Sequence, residues 1–130
     1  MIVLDASALL ELLLGTAPGR VVAHRIASRS ESLHAPHVVD LEVAQVLRRF
    51  VAKAIVSESR AEQALDDFAA LDVSRYAHDQ LLPRIWELRA NATAYDAAYL
   101  ALAEALHAPL LTRDAKLVGV PGVRARVIVV

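Results

Sequence analysis

The stretch MIVLDASALLELLLG, residues 1–15, passes from one periodicity to another at a single residue. Ile2, Val3 and Leu4 form a short apolar run stopped by Asp5, the pattern of a strand buried on both faces. ASALLELLLG then reads as a helix closed by Gly15, with Ser7 placed to interact with its first turn. A strand feeding directly into a helix is the opening half of a βαβ unit, and the rest of the chain continues it. Residues 16–30 suggest a second helix after Pro18-Gly19, with Val21, Val22 and Ile26 inward. SLHAP (32–36) reads as a short strand stopped at Pro36. Residues 37–55 form a strong helix, with Val39, Val43, Val46, Leu47 and Phe50 at helical spacing. Residues 57–71 form another, with Ser57 as its N-cap.

Toward the C-terminus, DVSRY (72–76) is a strand candidate and residues 78–91 read as a helix bent or begun near Pro83. NATAYDAAYLALAEAL (91–106) is an amphipathic helix, APLLT (108–112) a strand, residues 113–123 a loop or short helix, and RARVIVV (124–130) a final strand. Strands alternating with helices imply a three-layer α/β/α domain around a parallel sheet of four or five short strands. Ligands of such sheets bind outside the carboxyl ends of the strands.

The chain of 130 residues suits one domain, residues 1–130, with a real core. It is 56% hydrophobic, with a mean hydropathy of +0.40, which hints at buried surface beyond one monomer's core. In particular, Leu9, Leu10, Leu12, Leu13 and Leu14 make the first helix apolar nearly all round, more than one buried face requires; a partner's helix or a second protomer would cover the rest. No run reaches the roughly 18 apolar residues that span a bilayer. The opening segment carries Asp5 and no basic region, so it makes a poor secretory signal. The absence of cysteine excludes disulfides and thiolate metal sites. These features fit a cytoplasmic protein without a membrane association. A net charge of −1 advertises no global polyanion surface, so any nucleic-acid site is local.

Four acids draw attention. Asp5 ends the first strand and Asp114 follows APLLT, so both belong to the carboxyl edge of the sheet. Glu42 shares a helix face with Val38, Val39 and Val46. Asp96 heads a stripe continued by Tyr99, Leu100 and Ala103. Each has an ordinary use: carboxylates near helix N-termini gain roughly 0.3–1 kcal/mol from the macrodipole, and aspartate is a common turn and cap residue. Together they say more, because charged groups are rarely buried unless paired or bound to metal. Clustered carboxylates repel, a divalent cation relieves the repulsion, and an all-oxygen set selects Mg²⁺ or Mn²⁺. The reaction such a centre suits is phosphodiester hydrolysis.

MIVLDASALLELLL, HAPHVVDLEVAQVLRR, ATAYDAAYLALAEAL and PLLTRDAKL resemble, in order and spacing, the motifs of PIN-domain ribonucleases, most nearly the VapC toxins of bacterial toxin–antitoxin pairs. The resemblance runs over nearly the whole chain. It implies that Asp5, Glu42, Asp96 and Asp114 hold Mg²⁺, with Mn²⁺ as a substitute, and form the catalytic set. It implies supporting roles for Ser7 and Thr112, and less directly for Asn91 and Arg113. It implies cleavage of single-stranded or looped RNA such as tRNA or rRNA, a homodimer, and a cognate antitoxin protein that holds the enzyme inactive. Ala115, Lys116 and Leu117 stand where some relatives carry a further aspartate, which leaves a second metal ligand from that segment in doubt.

Other residues carry weaker signals. Arg84, Arg89, Arg113 and Lys116 lie beside the acidic segments in sequence and are the basic residues best placed for RNA. Arg48, Arg49 and Lys53 read as a solvated helix face, His34 and His37 as structural, and Trp86 as a packing residue in the core or a dimer. Two rival functions remain. An aspartate-based Mg²⁺-dependent phosphatase would want a second aspartate where Ser7 stands, and a phosphoacceptor domain would show paired acids after its first strand. A catalytically inactive PIN-like interaction module would not require all four acids.

Overall fold

A computed structural model describes residues 1–130. Its elements run β1 (Ile2–Leu4), α1 (Ala6–Leu14), α2 (Ala17–Ile26), β2 (Leu33–Pro36), α3 (Val38–Ala52), α4 (Glu58–Ala70), β3 (Val73–Tyr76), α5 (Leu82–Glu87), α6 (Ala94–Leu106), β4 (Leu110–Thr112) and β5 (Val127–Val129), with one 3₁₀ turn at Ala115–Leu117. The five strands form one sheet of order β3-β2-β1-β4-β5, and every pairing is parallel. The expected three-layer α/β/α architecture is the one found.

The topology fixes where chemistry can sit. The chain builds outward from β1 through β2 to β3, then returns to lay β4 on the other side of β1. Leu4 pairs with Leu111 at the end of that seam. The strand order therefore reverses between β1 and β4, and the two chains leaving their carboxyl ends diverge to leave a crevice. Asp5 and Thr112 stand at its lip.

The central strands β1 and β4 are buried on both faces, which is why they read as unbroken apolar runs. The helices α1 to α4 pack on one another, while α5 packs on α6, and α6 lies across β1, β2 and β4. One continuous core includes Leu4, Leu9, Val39, Leu47, Tyr99 and Leu100. The leucine-rich α1 finds most of its cover inside its own chain, against α2, α3, α4 and β4. Leu9, Leu10 and Leu13 are buried, and Leu12 and Leu14 half-buried. The surplus apolar surface that the sequence suggests on this helix is thus largely spent within the fold.

Local signals set the helix ends. Gly15 closes α1 in the left-handed region, with φ 66°. The second helix begins one turn earlier than Pro18-Gly19 suggested: Thr16 is its N-cap, accepting from the Gly19 N–H, and Pro18 lies in the first turn, where its missing donor costs nothing. Gly19 also lets α2 close on α1, since a Cβ there would lie 2.0 Å from the Glu11 carbonyl oxygen. Ser57 caps α4 as expected, through the Arg60 N–H at 3.1 Å. No single helix is long and apolar enough to cross a membrane.

Candidate active site

Asp5 is the first residue beyond β1. Its backbone is extended, at φ −69° and ψ 148°, and it occupies the N-cap position of α1, yet its side chain makes no capping bond. The carboxylate is buried. Its Oδ2 accepts from the Ser7 hydroxyl at 2.8 Å and from the Thr112 hydroxyl at 2.5 Å. Aspartate's ordinary use at a helix start is therefore declined here. Ser7 and Thr112 are tied in turn to the next segment. Ser7 Oγ accepts from the Arg113 N–H at 3.0 Å, and Thr112 Oγ1 accepts from the Asp114 N–H at 3.0 Å. Two hydroxyls thus lock the Asp5 carboxylate to the loop that carries Asp114.

Asp114 does act as a cap, accepting from the Lys116 N–H through Oδ1 at 2.9 Å. Asp96 lies in the first turn of α6 behind the N-cap Thr93, which accepts the Asp96 N–H at 3.1 Å. Glu42 sits a turn inside α3, past the positions that gain most from the macrodipole; the first-turn acid there is Asp40. Glu42 Oε1 is buried and completes no hydrogen bond. Helix-end chemistry accounts for part of Asp96 and Asp114 and for neither Asp5 nor Glu42.

Asp5, Glu42, Asp96 and Asp114 all line one cleft of about 760 Å³, along with Ser7 and Arg113. Their fields overlap. The Glu42 carboxyl is held above its ordinary range, first by burial and then by the charges of Asp5 and Asp96. Asp96 is also raised, by burial and by Asp5 and Asp114. Repulsion therefore links all four acids, and no guanidinium or ammonium relieves it: Arg113 pairs with Glu11 at 3.6 Å and donates to the Val130 carbonyl oxygen.

Residues 2–123 match the PIN domain. The chain belongs to the PIN-domain family. Among relatives of this PIN domain, ribonuclease VapC9 of Mycobacterium tuberculosis is 44% identical over 117 residues, covering 90% of this chain and 88% of that protein. Ribonuclease VapC1 of the same species is 43% identical over 121 residues, covering 92% and 90%. In fold, the PIN domain is similar to VapBC2 from Rickettsia felis, solved bound to a DNA fragment from their promoter. The TM-score is 0.73 at 14% identity, over 99% of this chain and 98% of that one.

The carboxylates of this PIN domain surround the cleft without closing into a ready ligand set; no three acidic or histidine side chains converge on one coordination point. Mg²⁺ does not require such a cage. It keeps several waters and takes one or two carboxylates directly. An orphaned buried glutamate oxygen, four mutually repelling carboxylates and an all-oxygen donor set fit a hydrated hard cation.

Several residues lie elsewhere than the sequence suggested. Asn91 is exposed in the turn between α5 and α6, with its backbone N–H on Leu88, and is not part of the cleft. Arg84 is drawn to the opposite, amino edge of the sheet. It pairs with the buried Glu104 at 2.8 Å and with Glu87 at 2.8 Å, beside the starts of β4 and β5. Trp86 is not in the core; it is 68% exposed, with the Arg89 guanidinium 4.6 Å above its ring. His34 is structural, bonded to Ser32 and to the Tyr76 hydroxyl, both at 2.7 Å. Burial lowers its pKa. Arg48, Arg49 and Lys53 form an exposed face. One residue at the site was read from the sequence only as core: Tyr99, on the Asp96 stripe, whose hydroxyl lies beside Glu42.

Proposed function

We propose that this PIN domain is a Mg²⁺-dependent endoribonuclease, with Mn²⁺ as a substitute, that hydrolyses single-stranded or looped RNA such as tRNA or rRNA and acts as a toxin restrained by a cognate antitoxin. The observation that carries the proposal is the convergence of Asp5, Glu42, Asp96 and Asp114, from four separate segments, on one cleft at the strand-order reversal. The naming of relatives at 41–44% identity as ribonucleases supports it. The antitoxin partner is suggested by structural neighbours described as VapBC2 and FitAB.

In this reading Asp5, Asp96 and Asp114 would be the principal cation-holding residues, and Glu42 would assist them directly or through water. A bound hard cation supplies an activated water and neutralises charge on the scissile phosphate. The chain supplies the rest. Ser7 and Thr112 fix the direction of the Asp5 carboxylate, so little reorganisation is needed when the ligand arrives. The raised affinity of Glu42 and Asp96 for protons means that protons compete with a cation for the cleft as pH falls. Lys116, exposed on the Asp114 loop, is available to phosphates. The exposed Leu82, Trp86 and Tyr95 offer apolar surface for the second copy of a homodimer.

The test is cleavage of a mixed RNA pool in Mg²⁺ and in EDTA, by the native chain and by Asp5→Asn. Metal-dependent cleavage lost in Asp5→Asn, with 5′-phosphate and 3′-hydroxyl ends, is expected. A 2′,3′-cyclic phosphate product would contradict attack by water, and cleavage that survives EDTA would contradict the metal.

A further inference from the structure

Tyr99 stands one turn along α6 from Asp96 and is completely buried, the largest side chain in the chain to be so. Its ring belongs to the core. Its hydroxyl does not behave as core. It lies against the Glu42 carboxylate of α3 on one side and the Ala6 backbone N–H, at the start of α1, on the other. Neither the hydroxyl nor Glu42 Oε1 completes a hydrogen bond of ordinary geometry with any other group. Two polar atoms sealed from water in this way cost roughly 1–3 kcal/mol each when unpaired. Phenylalanine would fill the same volume without the hydroxyl's share of that cost. The hydroxyl is therefore not explained by packing.

What it faces does explain it. The phenol can donate one hydrogen bond and accept another. Placed to donate to Glu42 and to accept from Ala6, it can join α3, the β1–α1 turn that carries Asp5, and its own helix, which carries Asp96. Ser7 and Thr112 hold Asp5 to the Asp114 loop. A link through Tyr99 brings in Glu42, whose buried Oε1 has no hydrogen-bond partner.

We infer that Tyr99 is a positioning residue of the candidate active site: its hydroxyl holds the Glu42 carboxylate in one orientation and ties it to the Asp5 turn. The geometric claim stands on the buried juxtaposition alone, while its consequence for cleavage rests on the nuclease reading. Tyr99 raises no requirement for contact with RNA. It acts through Glu42.

The experiment uses Tyr99→Phe, which keeps the ring and removes one oxygen, and follows three readouts. In the metal-free chain, ¹³C relaxation of the Glu42 methylene groups is expected to show one ordered side chain in the native protein and rotamer averaging in Tyr99→Phe. Equal order in both would overturn the inference. With Mg²⁺ and RNA, kcat is expected to fall about tenfold at nearly unchanged KM, the size usual for a residue behind a metal ligand. An unchanged kcat, with any loss confined to melting temperature, would make Tyr99 a core residue and nothing more. In the Glu42→Gln background, adding Tyr99→Phe is expected to change kcat less than twofold; a further tenfold loss would show that Tyr99 does not act through Glu42. Should Glu42 lose order while neither protein cleaves RNA, the positioning role stands and the nuclease reading fails.

Discussion

Thr112→Val is the sharpest test of how the Asp5 carboxylate is held. Thr112 has no exposure. The substitution keeps the shape of the side chain and replaces a hydroxyl that donates to Asp5 Oδ2 at 2.5 Å and accepts from the Asp114 N–H at 3.0 Å. A hydrogen bond to a charged group contributes roughly 1.5–3 kcal/mol, and a stranded donor costs roughly 1–3 kcal/mol, nearer the lower end here because the Asp114 amide is only partly buried. The added methyl recovers about 1 kcal/mol by apolar burial. The net loss is roughly 2–4 kcal/mol, or about 6–15 °C in melting temperature for a domain of this size. Thr112→Ser is the control. It keeps both bonds and gives up one methyl, for about 1 kcal/mol. Urea denaturation of the three metal-free proteins measures the order directly. If the valine variant matches the serine variant, the hydroxyl network does not hold Asp5, and the account of a preset carboxylate fails with it.

Four further outcomes follow from other parts of the molecule. Burial and neighbouring carboxylates raise Glu42 and Asp96 above their ordinary values of 4.5 and 3.8, so the folded chain retains protons that the unfolded chain releases. Their contribution to metal-free stability is then full below those ordinary values and is lost as pH rises through the raised ones; the Glu42 share is read as the difference in urea midpoint between the native chain and Glu42→Gln, which should move against the native chain as pH rises above 4.5. Gly19→Ala forces α2 away from the Glu11 carbonyl and should destabilise the fold by roughly 1–3 kcal/mol in thermal melts. His78 Nε2 accepts the Val38 N–H at 3.1 Å, at the start of the helix that carries Glu42; His78→Ala should cost about 1 kcal/mol, as the loss of a cap does, in urea denaturation. Arg84→Ala removes the nearest cation from Glu104, which keeps the Arg124 N–H at 2.8 Å, and should cost roughly 1–2 kcal/mol by the same measurement, yet leave RNA cleavage by the folded fraction unchanged, because the pair lies at the edge opposite the acids.

The contrast between Arg84 and Asp5 shows which parts of this molecule its sequence discloses. Strand ends are written in the chain as an apolar run stopped by a polar residue, which places Asp5 and Asp114 at the carboxyl edge from the sequence alone. Arg84 offers no such mark. It is near the acidic helix in sequence, but its direction is set by Glu104, twenty positions on. The core alternative for Trp86 failed for a related reason: α5 spans only Leu82–Glu87, less than two turns, too short for periodicity to say which face is covered. The longer segments behaved otherwise, since α3, α4 and α6 each repeat their pattern often enough to define a buried side.

Tyr99 and Asp96 share one stripe of one helix and were not equally visible, and the difference is energetic. An acid on an apolar face contradicts its surroundings, and only tertiary structure can resolve the contradiction, by a partner or a ligand. The anomaly itself points to a site. A tyrosine on the same face contradicts nothing, because its ring satisfies the pattern and its single polar atom leaves no trace in the periodicity. Residues that conflict with their environment can therefore be read from a sequence, whereas residues that act through one atom at the end of an apolar side chain become visible only when the fold shows what that atom faces. At this cleft the first kind are the acids suited to holding a cation, and the second kind is the hydroxyl that sets the direction of one of them.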